Sequence, residues 1–114
     1  MPRLTLEHSA HILPFNIEGL LQDLCFAAGQ VDSVKPELIK AKAYQPKTAF
    51  INNINEGYIF VLFEWFKGRN LQQQSQLKNA LKQPLIALRE KLGGDKISIT
   101  FEIREIEAQN HGSC

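Results

Sequence analysis

An excess of one charge is missing from this chain. Of its 114 residues, 13 are Lys or Arg and 12 are Asp or Glu, so the formal net charge is +1. That balance gives no support to a nucleic-acid or membrane-surface protein, which ordinarily carries a basic excess on one face. Cysteine is scarce: Cys25 and Cys114 are too few for a disulfide framework or a metal set. The three histidines (His8, His11 and His111) follow no zinc-ligand spacing. The longest apolar stretch, Tyr58 to Phe66, falls far below the roughly 20 residues of a membrane span. The start, Met1-Pro2-Arg3-Leu4-Thr5-Leu6-Glu7, has no apolar core and does not read as a signal peptide, so a reducing, cytoplasmic setting is expected. No glycine-rich phosphate loop, nucleophile elbow or Cys/His pairing occurs. What is present is 44% hydrophobic, 9% aromatic and 22% charged, enough to pack the core of one domain.

The order of elements follows from periodicity. Leu4 and Leu6 alternate with Arg3, Thr5 and Glu7, which predicts a strand almost at the first residue. From Asn16 the spacing becomes helical, with Ile17, Leu20, Leu21, Leu24 and Ala28 on one face, Asn16 as N-cap and Gly29 as terminator. After a polar turn holding Pro36, Leu38 to Tyr44 reads as a second strand, with Lys40 and Lys42 on one face. An Asn-rich loop follows (Asn52, Asn53, Asn55, Gly57), with some β character at Ala49 to Ile51.

Tyr58 to Phe66 is apolar on both faces except at Glu64, the pattern of a strand covered on both sides. Asn70 with Gln73 three residues on is a capping box, opening a helix whose stripe is Leu77, Leu81, Leu85, Leu88 and Leu92. Pro84 is expected to kink that helix and Gly93-Gly94 to end it. Ile97, Ile99, Phe101 and Ile103 alternate cleanly in a last strand. One domain over residues 1–107 and a frayed tail over 108–114 are therefore expected.

Two βαβ halves in succession predict an α+β fold: a four-stranded mixed sheet, parallel within each half, with two helices on one face. The other face of the sheet needs a cover, and a small domain most easily supplies one by oligomerising.

Chemistry has one unusual starting point. Pro2 directly follows Met1, and removal of Met1 would leave a secondary amine at the start of a strand. A chain-terminal amine ordinarily titrates at about 7.7–8.0. An apolar pocket and nearby cations both favour its neutral form, which makes it a competent general base. Met-Pro is also a common way for a chain to begin, and position alone favours that plainer reading.

Pro2-Arg3-Leu4-Thr5-Leu6-Glu7-His8-Ser9 resembles the start of the 5-carboxymethyl-2-hydroxymuconate isomerase family of the tautomerase superfamily. Ile39-Lys40-Ala41-Lys42 resembles that family's Ile-Arg-x-Arg strand, and Tyr58 to Phe66 its Phe-Val-x-Val strand. Gly68-Arg69-Asn70 is similar to its Gly-Arg-Ser helix start, and Phe101-Glu102-Ile103-Arg104-Glu105 to its closing strand. The similarity runs in register over nearly the whole chain. It implies a homotrimer of duplicated βαβ subunits with no metal or organic cofactor. The implied activity is proton transfer within small unsaturated keto or enol carboxylates, with Pro2 as the acid/base.

Position by position, the resemblance gives Arg69, Lys40 and Lys42 the task of holding carboxylate and offsetting enolate charge. Lysines stand at 40 and 42 where the family usually shows arginines, so the planar carboxylate fork is lost there. Pro84 and the short Lys67-Gly68-Arg69 turn are lesser departures.

Plainer readings stand beside these. Lys40 and Lys42 could form a solvated strand face, Arg69 an exposed turn, and His8 and His11 simple connectors. Glu64 requires either a cationic partner or the rim of a subunit contact. Phe63, Trp65 and Phe66 read as core or interface, or as the apolar wall that desolvates Pro2. The rival function for the same plan of elements is a non-catalytic, oligomeric ferredoxin-like module that binds a small ligand or partner.

Overall fold

The computed structural model describes residues 2–9, 16–48, 57–93 and 97–114. The expected β character at Ala49 to Ile51, most of the Asn-rich loop, and Met1, His11 and Gly94 lie outside the described residues. Six main elements follow in the order β1 (Arg3–His8), α1 (Ile17–Gly29), β2 (Lys40–Tyr44), β3 (Gly57–Phe66), α2 (Leu71–Lys91) and β4 (Ile97–Ile106). The strands form one sheet in the order β2-β1-β3-β4. β1 runs parallel to β2 and β3 parallel to β4, while β1 and β3 meet antiparallel at the centre. This is the expected doubled βαβ sheet.

Alternation along each strand decides which face carries the core. Leu4 and Leu6 of β1 and Ile59, Val61, Phe63 and Trp65 of β3 are all but closed to solvent. They pack with Leu20, Leu24 and Ala28 of α1 and with Leu77, Leu81, Leu85 and Leu88 of α2. Both helices therefore cover the same face. On the opposite face Tyr58, Phe60, Leu62, Glu64 and Phe66 are only half-buried in the single chain. The two-sided apolarity of β3 thus has one side satisfied within the subunit and one side open.

The helix boundaries have local causes. The Asn16 side chain accepts from the Gly19 amide at 3.1 Å, and the Asn70–Gln73 capping box is complete, with bonds of 3.0 and 2.8 Å. α2 stops beside Gly93, whose φ of +87° suits a residue without a Cβ. Gly29 acts differently from a left-handed terminator: it is the last residue of α1, and a Cβ there would lie 2.9 Å from Pro36 Cβ. Its role is close approach.

One further difference from expectation has a physical reason. β2 begins at Lys40 rather than Leu38, because Pro36 opens a 3-10 turn over Pro36–Leu38 that the Ile39 amide closes on the Pro36 carbonyl. α2 spans Pro84 as one helix, with Leu81, Leu85 and Leu88 on the sheet on either side of it. Residues 108–110 form a 3-10 turn, and the His111 ring meets Phe66 edge-on at 5.2 Å.

Candidate active site

One end of the sheet collects the start of β1, the end of β3 and the turn into α2. Pro2 is buried, and its carbonyl accepts the Lys40 amide at 3.0 Å, which keeps the first residue of the β1 arm in the ladder with β2. The antiparallel pairing places Arg3 opposite Glu64. One step further along the same register sets Pro2 opposite Trp65, on the helix-covered side. Trp65 is fully buried, with Phe63 edge-on at 5.8 Å. The Arg69 guanidinium lies over the Trp65 ring, 4.6 Å from its centroid.

Arg69 is no loose turn residue. Its guanidinium donates to the Phe66 carbonyl at 2.7 Å and to the Ser33 carbonyl at 3.1 Å, while the Gln74 side chain holds the Arg69 carbonyl at 2.9 Å. The preceding Gly68, at φ +128°, makes the sharp turn from β3 that aims the side chain back over Trp65. A guanidinium held this way loses little freedom on meeting a ligand.

Lys40 and Lys42 occupy different ground. Register pairs them with Arg3 and Thr5, so their side chains project from the open face, away from the helices. Together with Arg3, Thr5 and Glu64 they line an open hollow of about 250 Å³. Arg3 reaches Glu64 across the strands at 3.5 Å, which gives Glu64 its cationic partner. The four sequence-selected residues therefore fall into two groups around the same strand ends: Pro2 with Arg69 on one side, Lys40 with Lys42 on the other. Arg3 escaped selection; it becomes recognisable once β1 and β3 are paired antiparallel, because it then faces the lone carboxylate of β3.

Solved structures share this fold. A crystal structure of 5-carboxymethyl-2-hydroxymuconate delta-isomerase matches 100% of this chain and 87% of its own, with a TM-score of 0.85 at 17% identity. A 5-carboxymethyl-2-hydroxymuconate isomerase from Deinococcus radiodurans R1 matches 99% of this chain and 88% of its own, with a TM-score of 0.84 at 20% identity. The fold is that of the solved 5-carboxymethyl-2-hydroxymuconate isomerases. A fused 4-OT wild type symmetric trimer is also similar, with a TM-score of 0.69 over 97% of this chain and 90% of that one at 17% identity. No protein-family model and no curated protein sequence matches the chain.

The far end of the open face carries a second polar group. Tyr44 donates to one oxygen of the Glu7 carboxylate at 2.6 Å, and Tyr58 donates to the other. The two phenols, Tyr44 first, hold the Glu7 carboxyl below its usual range. Burial first, and Glu7 second, push the Tyr58 phenol up to about 12. The sign of the pH effect follows. Glu7 contributes stability that is present above its unfolded pKa of 4.5 and is lost as pH falls through its lower folded value. Tyr58 makes stability fall as pH rises past 10, where the unfolded phenol ionises and the folded one does not. In the single chain this face is open to water, so the two bonds contribute only modestly at neutral pH. Glu7→Gln is expected to lower stability slightly in denaturant melts at pH 7, with the gap to the parent closing below pH 4.5. A gap that stays constant with pH would refute the assignment.

Among the described residues, no three His, Cys, Asp or Glu side chains gather so as to hold a metal ion, and no helix is long and apolar enough to cross a membrane. Cys25 is half-buried and Cys114 exposed, and both are free thiols. His8 is the last residue of β1, paired with Ile59, rather than part of the connector, and its ring sits 3.1 Å from the Ser9 carbonyl.

Proposed function

We propose that this protein is a cofactor-independent isomerase that moves a proton within a small unsaturated keto or enol carboxylate of the 5-carboxymethyl-2-hydroxymuconate type. The observation that carries the reading is the setting of Pro2. It is a buried first-strand proline, held in the ladder by Lys40 and set by register opposite the tryptophan on which Arg69 lies. With residue 1 removed, the Pro2 nitrogen is a secondary amine at the open end of β1, against an apolar wall and near fixed positive charge. Both surroundings favour the neutral base.

The chemistry needs no other group. Pro2 takes a proton from the enol hydroxyl or from an acidic carbon and returns one to another carbon of the conjugated system. Arg69 binds carboxylate and offsets the charge that develops on the enolate, and Lys40 or Lys42 offers a second cation from the open face. The likeness to isomerase folds, one of them in a fused 4-OT trimer, supports both the reaction class and a homotrimer, with the uncovered sheet face as the contact between subunits.

The test is an ultraviolet assay on protein of verified N-terminus, with 2-hydroxymuconate-type and phenylenolpyruvate-type enols. Loss of the enol band faster than in buffer, abolished by a covalent label that reacts at Pro2, is the expected result. Protein that begins at Pro2 and accelerates neither enol would leave the non-catalytic binding module as the correct reading.

A further inference from the structure

A hollow of about 220 Å³ opens between α2 and β4, on the helix-covered side of the sheet. Its lining is Lys82, Leu85, Ile86 and Arg89 of the helix and Ile99 and Phe101 of the strand. The reaction proposed above uses none of them. Register pairs Phe101 with Val61, four positions along β3 from Trp65, which sets the hollow about 13 Å along the strands from the Pro2 end. The open face lies on the other side of the sheet, so covering that face does not by itself close the hollow.

The spacing of α2 builds the site. Leu81, Leu85 and Leu88 point at the sheet and are buried. Lys82, Ile86 and Arg89 follow one position later at the same intervals of four and three, and so form a second row, turned toward β4. Ile86 remains 48% exposed, and Ile99 and Phe101 are only partly buried, because β4 is the last strand of the sheet. Together they make one apolar patch rather than scattered side chains.

The rim is cationic. Lys82 and Arg89 stand about 10 Å apart along the helix axis, one toward each end of the hollow. Among the described residues no carboxylate pairs with either. Their aliphatic stems extend the apolar wall while the charged heads reach water. An apolar floor between two such cations complements a molecule with an apolar body and an acidic end. A cavity of about 150 Å³ lined by aliphatic and aromatic side chains takes up benzene. The hollow here is larger, with room for a ring or a short alkyl chain that carries a carboxylate. A guanidinium grips that group through two parallel bonds, whereas an ammonium offers only a point charge.

We propose that this hollow binds a small amphipathic monocarboxylate, a phenylalkanoate or a medium-chain alkanoate. Its apolar body lies on Ile86, Ile99 and Phe101, and its carboxylate meets Arg89. Lys82 closes the opposite end and adds attraction at longer range. The site is independent of the isomerase reading, since it uses other residues and needs no turnover.

Octanoate and hydrocinnamate are titrated separately into the full chain, and side-chain signals are followed by NMR. Saturable shifts are expected at Ile86, Ile99 and Phe101, while Leu20 and Leu24 of α1 stay fixed. Whichever acid binds more tightly tells whether chain or ring fits better. Octanamide, equal in shape but uncharged, should bind about five- to tenfold more weakly than octanoate. Arg89→Gln should weaken octanoate by about the same factor, and Lys82→Gln by about two- to threefold. Ile86→Glu should abolish the shifts. All three side chains are exposed, so the variants should keep the parent's melting temperature.

Octanamide binding as tightly as octanoate would overturn the proposal. So would unchanged octanoate affinity in Arg89→Gln, or shifts confined to the hollow of Lys40 and Lys42. A groove that instead seats a second copy of the chain gives another result. Neither acid then moves these signals, and Ile86→Glu lowers the mass read by light scattering, which also overturns it. Protein that accelerates no enol yet shows the shifts keeps this site and loses only the isomerase.

Discussion

Protein carrying one fixed residue ahead of Pro2 will turn over the enol about 10²- to 10⁴-fold more slowly than protein that begins at Pro2. The cause is electronic. Joined to a preceding residue, the proline nitrogen is an amide whose lone pair is delocalised into the carbonyl, and it has no useful basicity. Freed, it is a secondary amine. The fold has no stake in the difference, because the core lies between the helices and the inner face of the sheet. Circular dichroism and melting temperature should therefore match between the two forms, and only the rate should fall. Pro2→Ala, processed to a free primary amine, should lose much less than the blocked form, since it keeps a titratable nitrogen in the same place. Equal rates for blocked and free protein, measured with the N-terminus verified by intact mass, would remove Pro2 from the chemistry.

The scaffold was legible because its signals are local. Alternation at Leu4 and Leu6, the heptad-like leucines of α2, and the caps at Asn16 and Asn70 each act within a few residues, and all reappear in the structure. β2 starts two residues later than alternation predicts because the 3-10 turn at Pro36 competes with extension over the same apolar pair, Leu38 and Ile39. The site was less legible, for a different reason. Lys40 and Lys42 lie near Pro2 in the ladder, yet they project from the other face, and that is knowable only once β1 and β2 are paired in parallel. The partnership of Arg3 with Glu64 and the bond from Arg69 to the Ser33 carbonyl join residues 61 and 36 positions apart. No periodicity within one segment carries such a relation. Resemblance supplied Arg69, whereas nothing in the pattern around residue 33 marks its carbonyl as the acceptor that holds the guanidinium.

Leu62→Glu is expected to convert the proposed trimer into monomers with an intact subunit fold. Leu62 sits in mid-strand on the open face, paired with Thr5 on one side and Glu102 on the other. In the single chain it is half-buried, along with Phe60 and Phe66 of the same stripe. A carboxylate introduced there meets the Glu102 carboxylate across the strands and, at a subunit contact, must shed its water, while the cations of the adjoining strands, Arg3 and Arg104, are already paired with Glu64 and Glu102. Breaking desolvated charge in this way costs several kcal/mol per site, and a closed trimer would carry the site three times. Protonation of the new side chain is the only relief, so association should return as pH falls below the carboxylate range. Light scattering after size exclusion reads the mass, and far-UV circular dichroism reads the subunit, whose own core lies on the opposite side of β3. The conservative Leu62→Met should remain assembled. A Leu62→Glu protein that keeps the parent's mass at neutral pH would mean that this face is not the contact, and the half-buried stripe of β3 would then need another cover.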